Sequence, residues 1–290
     1  MLELLLRSLV TFSPQAVERG TCLADLLDLM ERFSFHHLPV VDGDGRVQGI
    51  VSDRDVVAAL LLHLAALVPV GAEPPASPAQ FVRSCTAGDI MSLPVYSVEE
   101  SATALGALRL LLDRGLHCLP LVREEQTLAG MLTSTDFLRA LCQDNWACCL
   151  DLVSRHMVGC GLQVDVTTSP HVAAQLMDEF ELRCLVVTSV GRPVGVVAQR
   201  TLRGYIRRLW QLEWQGQGDS LPAPSELAET VGQLIDPLAE AVGPGDSLQT
   251  AACRMLQLGL QVLPVMDHRS QLVGLIREEE LLAALAAELA

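Results

Sequence analysis

Apolar residues along the chain fall into a phrase that occurs four times: an apolar strand, a turn, a glycine with two apolar residues, then a helical stretch. It reads Leu38-Pro39-Val40-Val41 before Gly49-Ile50-Val51, and Leu119-Pro120-Leu121-Val122 before Gly130-Met131-Leu132. It returns as Leu185-Val186-Val187 before Gly195-Val196-Val197, and as Leu263-Pro264-Val265 before Gly274-Leu275-Ile276. The four glycines are 81, 65 and 79 residues apart. Self-similarity of this kind defines the folding unit before any single element is assigned.

Upstream of each phrase, apolar residues at 3–4 spacing predict a helix. They are Leu23, Leu26, Leu27 and Met30, then Leu105, Leu108, Leu111 and Leu112. In the last two repeats they are Val172, Ala173, Leu176 and Met177, and Leu248, Ala251, Ala252 and Met255. Short extended segments precede these helices at Leu9–Phe12, Val95–Val98, Gln163–Val166 and Ala239–Val242. Asp42-Gly43-Asp44-Gly45 is a hairpin turn signal. The predicted unit is therefore β-α-β-β-α, an α/β fold whose short strands require pairwise packing of repeats. Repeat limits are expected at 1–66, 81–147, 150–212 and 227–290, with irregular connections at 68–80 and 215–225.

At 290 residues the chain can form two domains of two repeats each. Half of its residues are hydrophobic and 4% are aromatic, so the cores must be aliphatic. A formal net charge of −15 argues against a nucleic-acid surface. All 20 basic residues are Arg, which excludes Schiff-base and P-loop lysines. The nine cysteines have no CxxC pair and no zinc-type spacing, and Glu3 and Arg7 interrupt the apolar start, so reduced thiols and a cytoplasmic location are expected. Residues 56–72 carry His63 as their one clearly polar side chain but fall short of the roughly 20 apolar residues a bilayer span needs. A buried helix running into a linker is expected there, without membrane insertion.

The residues after two of the glycine strands carry the chemistry. Ser52-Asp53-Arg54-Asp55 and Thr133-Ser134-Thr135-Asp136 each place a hydroxyl at a strand-to-helix junction with a carboxylate three residues on. One reading is a capping box, which stabilises a helix start and implies no ligand. The other is a nucleotide site, with phosphate at the hydroxyl and helix N-terminus and ribose hydroxyls on the acid. Two such tetrapeptides at equivalent places favour the second reading. Repeat three has Ala198-Gln199-Arg200-Thr201 and repeat four Arg277-Glu278-Glu279-Glu280, both departing from the pattern. Glu278 to Glu280 read as helix N-terminal acids, and no residues show metal-ligand spacing or a catalytic constellation.

The repeated unit, the Leu-Pro-Val strand and Gly-h-h-[Ser/Thr]-x-x-Asp resemble cystathionine β-synthase (CBS) domains, which pair as Bateman modules. The resemblance covers essentially the whole chain, and its layout is similar to four-repeat chains such as the γ subunit of AMP-activated protein kinase. It implies two Bateman modules that bind AMP, ADP, ATP or S-adenosylmethionine in clefts between paired repeats. It implies ribose on Asp55 and Asp136, and phosphate near Ser52 and Thr133. Basic residues before the Leu-Pro-Val strand (His36, His37, His117, Arg183) and at the third motif position (Arg54, Arg200) would also face phosphate. The expectation is a non-catalytic regulator sensing an adenine nucleotide between repeats 1 and 2, with no required cofactor, and signalling to a protein partner. Repeats 3 and 4 would be weak or empty sites. The alternative is a scaffold with vestigial sites. Closure of the two modules within one chain and homodimerisation through them are both open.

Overall fold

The computed structural model describes residues 6–66, 78–143, 146–159, 162–180, 182, 184–198, 201, 202, 205, 230–237, 241–269 and 271–290. Repeat 1 comprises α1 (Leu6–Leu9), β1 (Thr11–Phe12), β2 (Val17–Glu18), α2 (Leu23–Phe33), β3 (His37–Val41), β4 (Val47–Ser52) and α3 (Asp53–Ala66). Repeat 2 comprises α4 (Pro78–Ser84), α5 (Ala87–Ile90), β5 (Val98–Glu99), α6 (Ala104–Arg114), β6 (Cys118–Val122), β7 (Leu128–Thr133) and α7 (Ser134–Gln143). Repeat 3 contributes α8 (Val153–His156), β8 (Gln163–Asp165), α9 (Pro170–Glu179), β9 (Cys184–Ser189) and β10 (Arg192–Ala198). Repeat 4 contributes β11 (Asp236–Pro237), α10 (Leu248–Leu258), β12 (Val262–Met266), β13 (Leu272–Arg277) and α11 (Glu278–Leu289). The α/β repeat architecture expected from the pattern is present, and it is consistent with two Bateman modules.

Local chemistry sets the helix limits. Thr103 Oγ1 accepts from Gly106 N at 3.0 Å, and Ser247 Oγ accepts from Thr250 N at 3.1 Å, capping α6 and α10. Both helices stop at a glycine in left-handed conformation, Gly115 (φ 60) and Gly259 (φ 63). The Asp42–Gly45 turn forms as expected, with Asp42 Oδ1 accepting from the backbone N–H groups of Asp44 and Arg46.

Each repeat lays an entry strand parallel to the first hairpin strand in one shared register. Val17 faces Val40, Val98 faces Leu121, Val164 faces Val187 and Val242 faces Val265. In repeat 1 this entry strand is Val17–Glu18, not the expected Leu9–Phe12. The Leu9–Phe12 segment instead crosses to repeat 2, where Thr11 and Phe12 pair antiparallel with Met131 and Gly130. Ser92 of repeat 2 reciprocates with a bridge to Ile50. Repeats 3 and 4 make the same exchange through Val158 to Leu275 and through β11 to β10.

These crossings explain the repeated glycine. A side chain at Gly130 would strike Val10 and the Thr11 carbonyl, and one at Gly49 would strike Met91. At Gly274 an added Cβ would lie 2.7 Å from the Val158 carbonyl oxygen. Backbone cannot rotate away as a side chain can, so Gly274→Ala should destabilise the chain by about 1–3 kcal/mol in urea unfolding. Gly20 has open space around it and should accept Ala within about 0.5 kcal/mol.

Helices join the two modules. α7 packs on α10, α11 packs on α6 and α7, and α3 packs on α9. One apolar core is shared by repeats 2 and 4 and another by repeats 1 and 3. The modules thus close on each other within a single chain, which settles that internal pairing. Leu23, Leu26, Leu27 and Met30 are buried as expected, as are Leu248, Ala251, Ala252 and Met255. In α6 the buried stripe is Ala104, Ala107, Leu108 and Leu111, with Leu105 and Leu112 at its margins. In α9 Val172 is exposed, and Ala173, Ala174 and Met177 face inward. The described part of residues 56–72 is helix α3, with Val56, Val57 and Leu60 buried. Among the described residues, no helix is long and apolar enough to cross a membrane.

Candidate functional site

The two tetrapeptides form matching structures at the starts of α3 and α7. Asp55 Oδ2 accepts from Ser52 N at 2.7 Å and from Ser52 Oγ at 2.6 Å. Asp136 Oδ2 accepts from Thr133 N at 2.8 Å and from Thr133 Oγ1 at 2.7 Å. The second carboxylate oxygen is used differently. Asp55 Oδ1 accepts from the exposed Ser92 hydroxyl of the crossing segment at 3.0 Å, and Asp136 Oδ1 accepts from the exposed Arg139 guanidinium at 2.8 Å. Each acid therefore closes a helix cap with one oxygen and meets an exposed donor with the other. Glu280 does the capping in repeat 4, where Arg277 N donates to its Oε2 at 3.1 Å.

At the second position of the motif the side chain turns inward. Asp53, Ser134 and Glu278 are buried, at 5%, 2% and 1% exposure. The backbone N–H of each donates to the carbonyl just before the repeat's first hairpin strand: His36 at 3.1 Å, His117 at 2.9 Å and Gln261 at 2.9 Å. This bond holds the pre-strand side chains beside the inward acids. His36 Nδ1 donates to Asp53 Oδ2 at 2.7 Å. His117 Nδ1 donates across the module boundary to Glu278 Oε1, which also accepts from Gln261 Nε2 at 3.1 Å.

His36, Asp53, Gln261 and Glu278 border a cavity of about 260 Å³ to which all four repeats contribute. Ser34, His36 and Asp53 come from the first, Thr135 and Leu138 from the second, and Cys184 and Ala198 from the third. The fourth supplies Met255, Leu260, Gln261 and Glu278 among others. Its volume lies just below the roughly 300–1,000 Å³ of small-molecule pockets. Among the described residues lining it, the ionisable groups are His36, Asp53, Cys184 and Glu278, and none is Arg.

Of the residues singled out in the sequence, Ser52 with Asp55 and Thr133 with Asp136 are brought together, and His36 and His117 are each paired to a buried acid. His37 and Arg54 are half-buried beside them, while Arg183 and Arg200 lie outside the described residues. Sequence reasoning missed Asp53 and Glu278. Glu278 in particular is a core residue rather than a solvated helix-terminal acid. Aligning the second motif position across repeats would have flagged it, since Asp53, Ser134 and Glu278 are all polar there.

The described cysteines are all free, and burial pushes the Cys142 thiol up to about 12. Burial, then the Glu288 carboxylate, also raises Cys148, and burial raises Cys149. Both shifts favour the thiol over the thiolate.

The family model of the CBS domain matches residues 7–62, 87–143, 151–208 and 231–287. The chain belongs to the CBS domain family. Its four CBS repeats align over 278 residues with an uncharacterized protein of Methanocaldococcus jannaschii, at 23% identity across 90% of this chain and 91% of the relative. The crystal structure of that protein, described as a candidate archaeal homologue of γ-AMPK, shares the CBS fold at a TM-score of 0.80. That superposition has 20% identity over 97% of this chain and 100% of the other. An uncharacterized 33.4 kDa protein from a ribosomal RNA operon of Thermofilum pendens is 27% identical over 212 residues, 70% of this CBS chain and 64% of the relative, just under two thirds of its length. A conserved Pyrococcus horikoshii protein of uncharacterized function shares the fold at a TM-score of 0.61 and 18% identity, over 97% of this chain and 99% of that one.

Proposed function

We propose that the chain is a non-catalytic regulatory protein that senses an adenine nucleotide, AMP, ADP or ATP, in the cleft between repeats 1 and 2. The observation that carries this reading is the state of Asp55 and Asp136. In both, Oδ2 is committed to the helix cap while Oδ1 holds a donor that faces solvent, the Ser92 hydroxyl or the Arg139 guanidinium. A ribose diol can replace such a donor without disturbing the cap, and it gains charge-assisted hydrogen bonds. Ser52, Thr133, Arg54, His36 and His37 stand near the same helix starts and suit the phosphate end. Membership of the CBS family supports a regulatory rather than a catalytic chain.

Ligand bound between strand-exchanged repeats would favour one relative arrangement of them, which a cytoplasmic protein partner reads as a population shift. Because the same bonds are what a helix cap alone requires, a ligand-free interaction scaffold is the second reading. Thermal unfolding against AMP, ADP, ATP and S-adenosylmethionine separates the two. A nucleotide at 100 times its dissociation constant should add about 2.7 kcal/mol of stability, and no shift with any of them would favour the scaffold.

A further inference from the structure

The sharpest anomaly inside the molecule is Glu278. The turn from β13 into α11 delivers its carboxylate to the boundary between repeats 4 and 2, where the residue is 1% exposed. Oε1 accepts from His117 and Gln261, but Oε2 is buried and has no hydrogen-bond partner among the described residues. A buried carboxylate oxygen with no donor is unusual, because desolvation is compensated only by a hydrogen bond or a cation. The neighbouring Glu279 adds a second carboxylate. One ligand atom each from His117, Glu278 and Glu279 can be chosen so that all lie within 4.8 Å of one another. Atoms sharing an ion at bonds of about 2.0–2.2 Å sit roughly 3–4.5 Å apart, so small side-chain adjustments suffice.

We propose that His117, Glu278 and Glu279 form a divalent metal site that clasps repeat 2 to repeat 4 at the edge of the central cavity. One imidazole and two carboxylates suit a first-row ion such as Mn²⁺ or Zn²⁺, whereas Ca²⁺ takes six to eight oxygens. The ion would give Glu278 Oε2 its missing partner and neutralise two adjacent acids. The cavity bordered by Glu278 has room for water to complete the coordination shell. On this reading His117 is a metal ligand rather than a phosphate contact. Its partner Glu278 lies 161 residues away in sequence, so no local spacing announces the site.

The test is a Mn²⁺ titration of the chelator-treated chain without nucleotide, followed by electron paramagnetic resonance of the free ion. Mn²⁺ is the probe because it has little affinity for thiols, and the chain has nine cysteines. One Mn²⁺ should bind per chain, and Glu278→Gln and Glu279→Gln should each weaken binding at least tenfold. The half-exposed Glu279 position can lose its charge without disturbing the core, and circular dichroism checks the fold of both variants. Absence of saturable binding up to millimolar Mn²⁺, or variants that both bind Mn²⁺ as tightly as the unsubstituted chain, would overturn the site. Neither result bears on the nucleotide reading, which the thermal series tests separately.

Discussion

Phe137→Ala should lower the unfolding free energy by about 3–5 kcal/mol, the largest loss anticipated for a single side chain here. Phe137 is 0% exposed and heads the largest fully buried side chains among the described residues. It sits on α7, which packs against α10 and α11, so its ring belongs to the core that repeats 2 and 4 share. Truncation removes apolar area from that core and leaves a cavity between two modules that cannot both collapse around it. Phe180→Ala is the matched control. Phe180 is 53% exposed, so its loss should change stability by no more than about 0.5 kcal/mol. Urea unfolding of the two variants would measure the contrast, and equal effects would mean that the 2–4 helix interface does not hold the modules together.

The second large effect concerns ligand rather than fold. Asp55→Ala combined with Asp136→Ala should weaken binding of the preferred nucleotide at least 100-fold. Hydrogen bonds to a charged group contribute about 1.5–3 kcal/mol, and a ribose diol makes two to its carboxylate. Each tenfold in affinity is about 1.4 kcal/mol, so losing even one such acceptor pair reaches the stated factor. The same substitutions remove two helix caps, at about 0.5–2 kcal/mol each. Melting must therefore be recorded without ligand, and affinity measured well below the midpoint. Unchanged affinity in a folded double variant would assign both acids to capping alone.

The repeat, its hairpins and the inward faces of α2 and α10 were legible because their signals are local and periodic. What escaped depends on contacts between distant segments. Leu9–Phe12 is more apolar than Val17–Glu18 and so reads as the entry strand of repeat 1, yet its partner is the hairpin edge of repeat 2. Periodicity places a stripe on α9 but does not say which of Val172 and Ala173 meets the core. Small alanines won that face because α3 packs closely there. The capping tetrapeptides were visible as a pattern. Glu278 was not, because three consecutive glutamates at a helix start resemble a solvated terminus and its partner His117 belongs to another repeat. The repeated glycine was used as a marker of period, whereas its physical cause is the crossing segment of the paired repeat.

The central claim is that the acids at the starts of α3 and α7 read a ribose. Isothermal titration calorimetry of the intact chain with AMP, ADP and ATP, each beside its 2′-deoxy counterpart, tests it most directly. The account predicts saturable binding of at least one ribonucleotide, with the deoxy form weaker by about tenfold or more because one charged hydrogen bond is lost. Binding of none of them, or equal affinity for the ribo and deoxy forms, would contradict it.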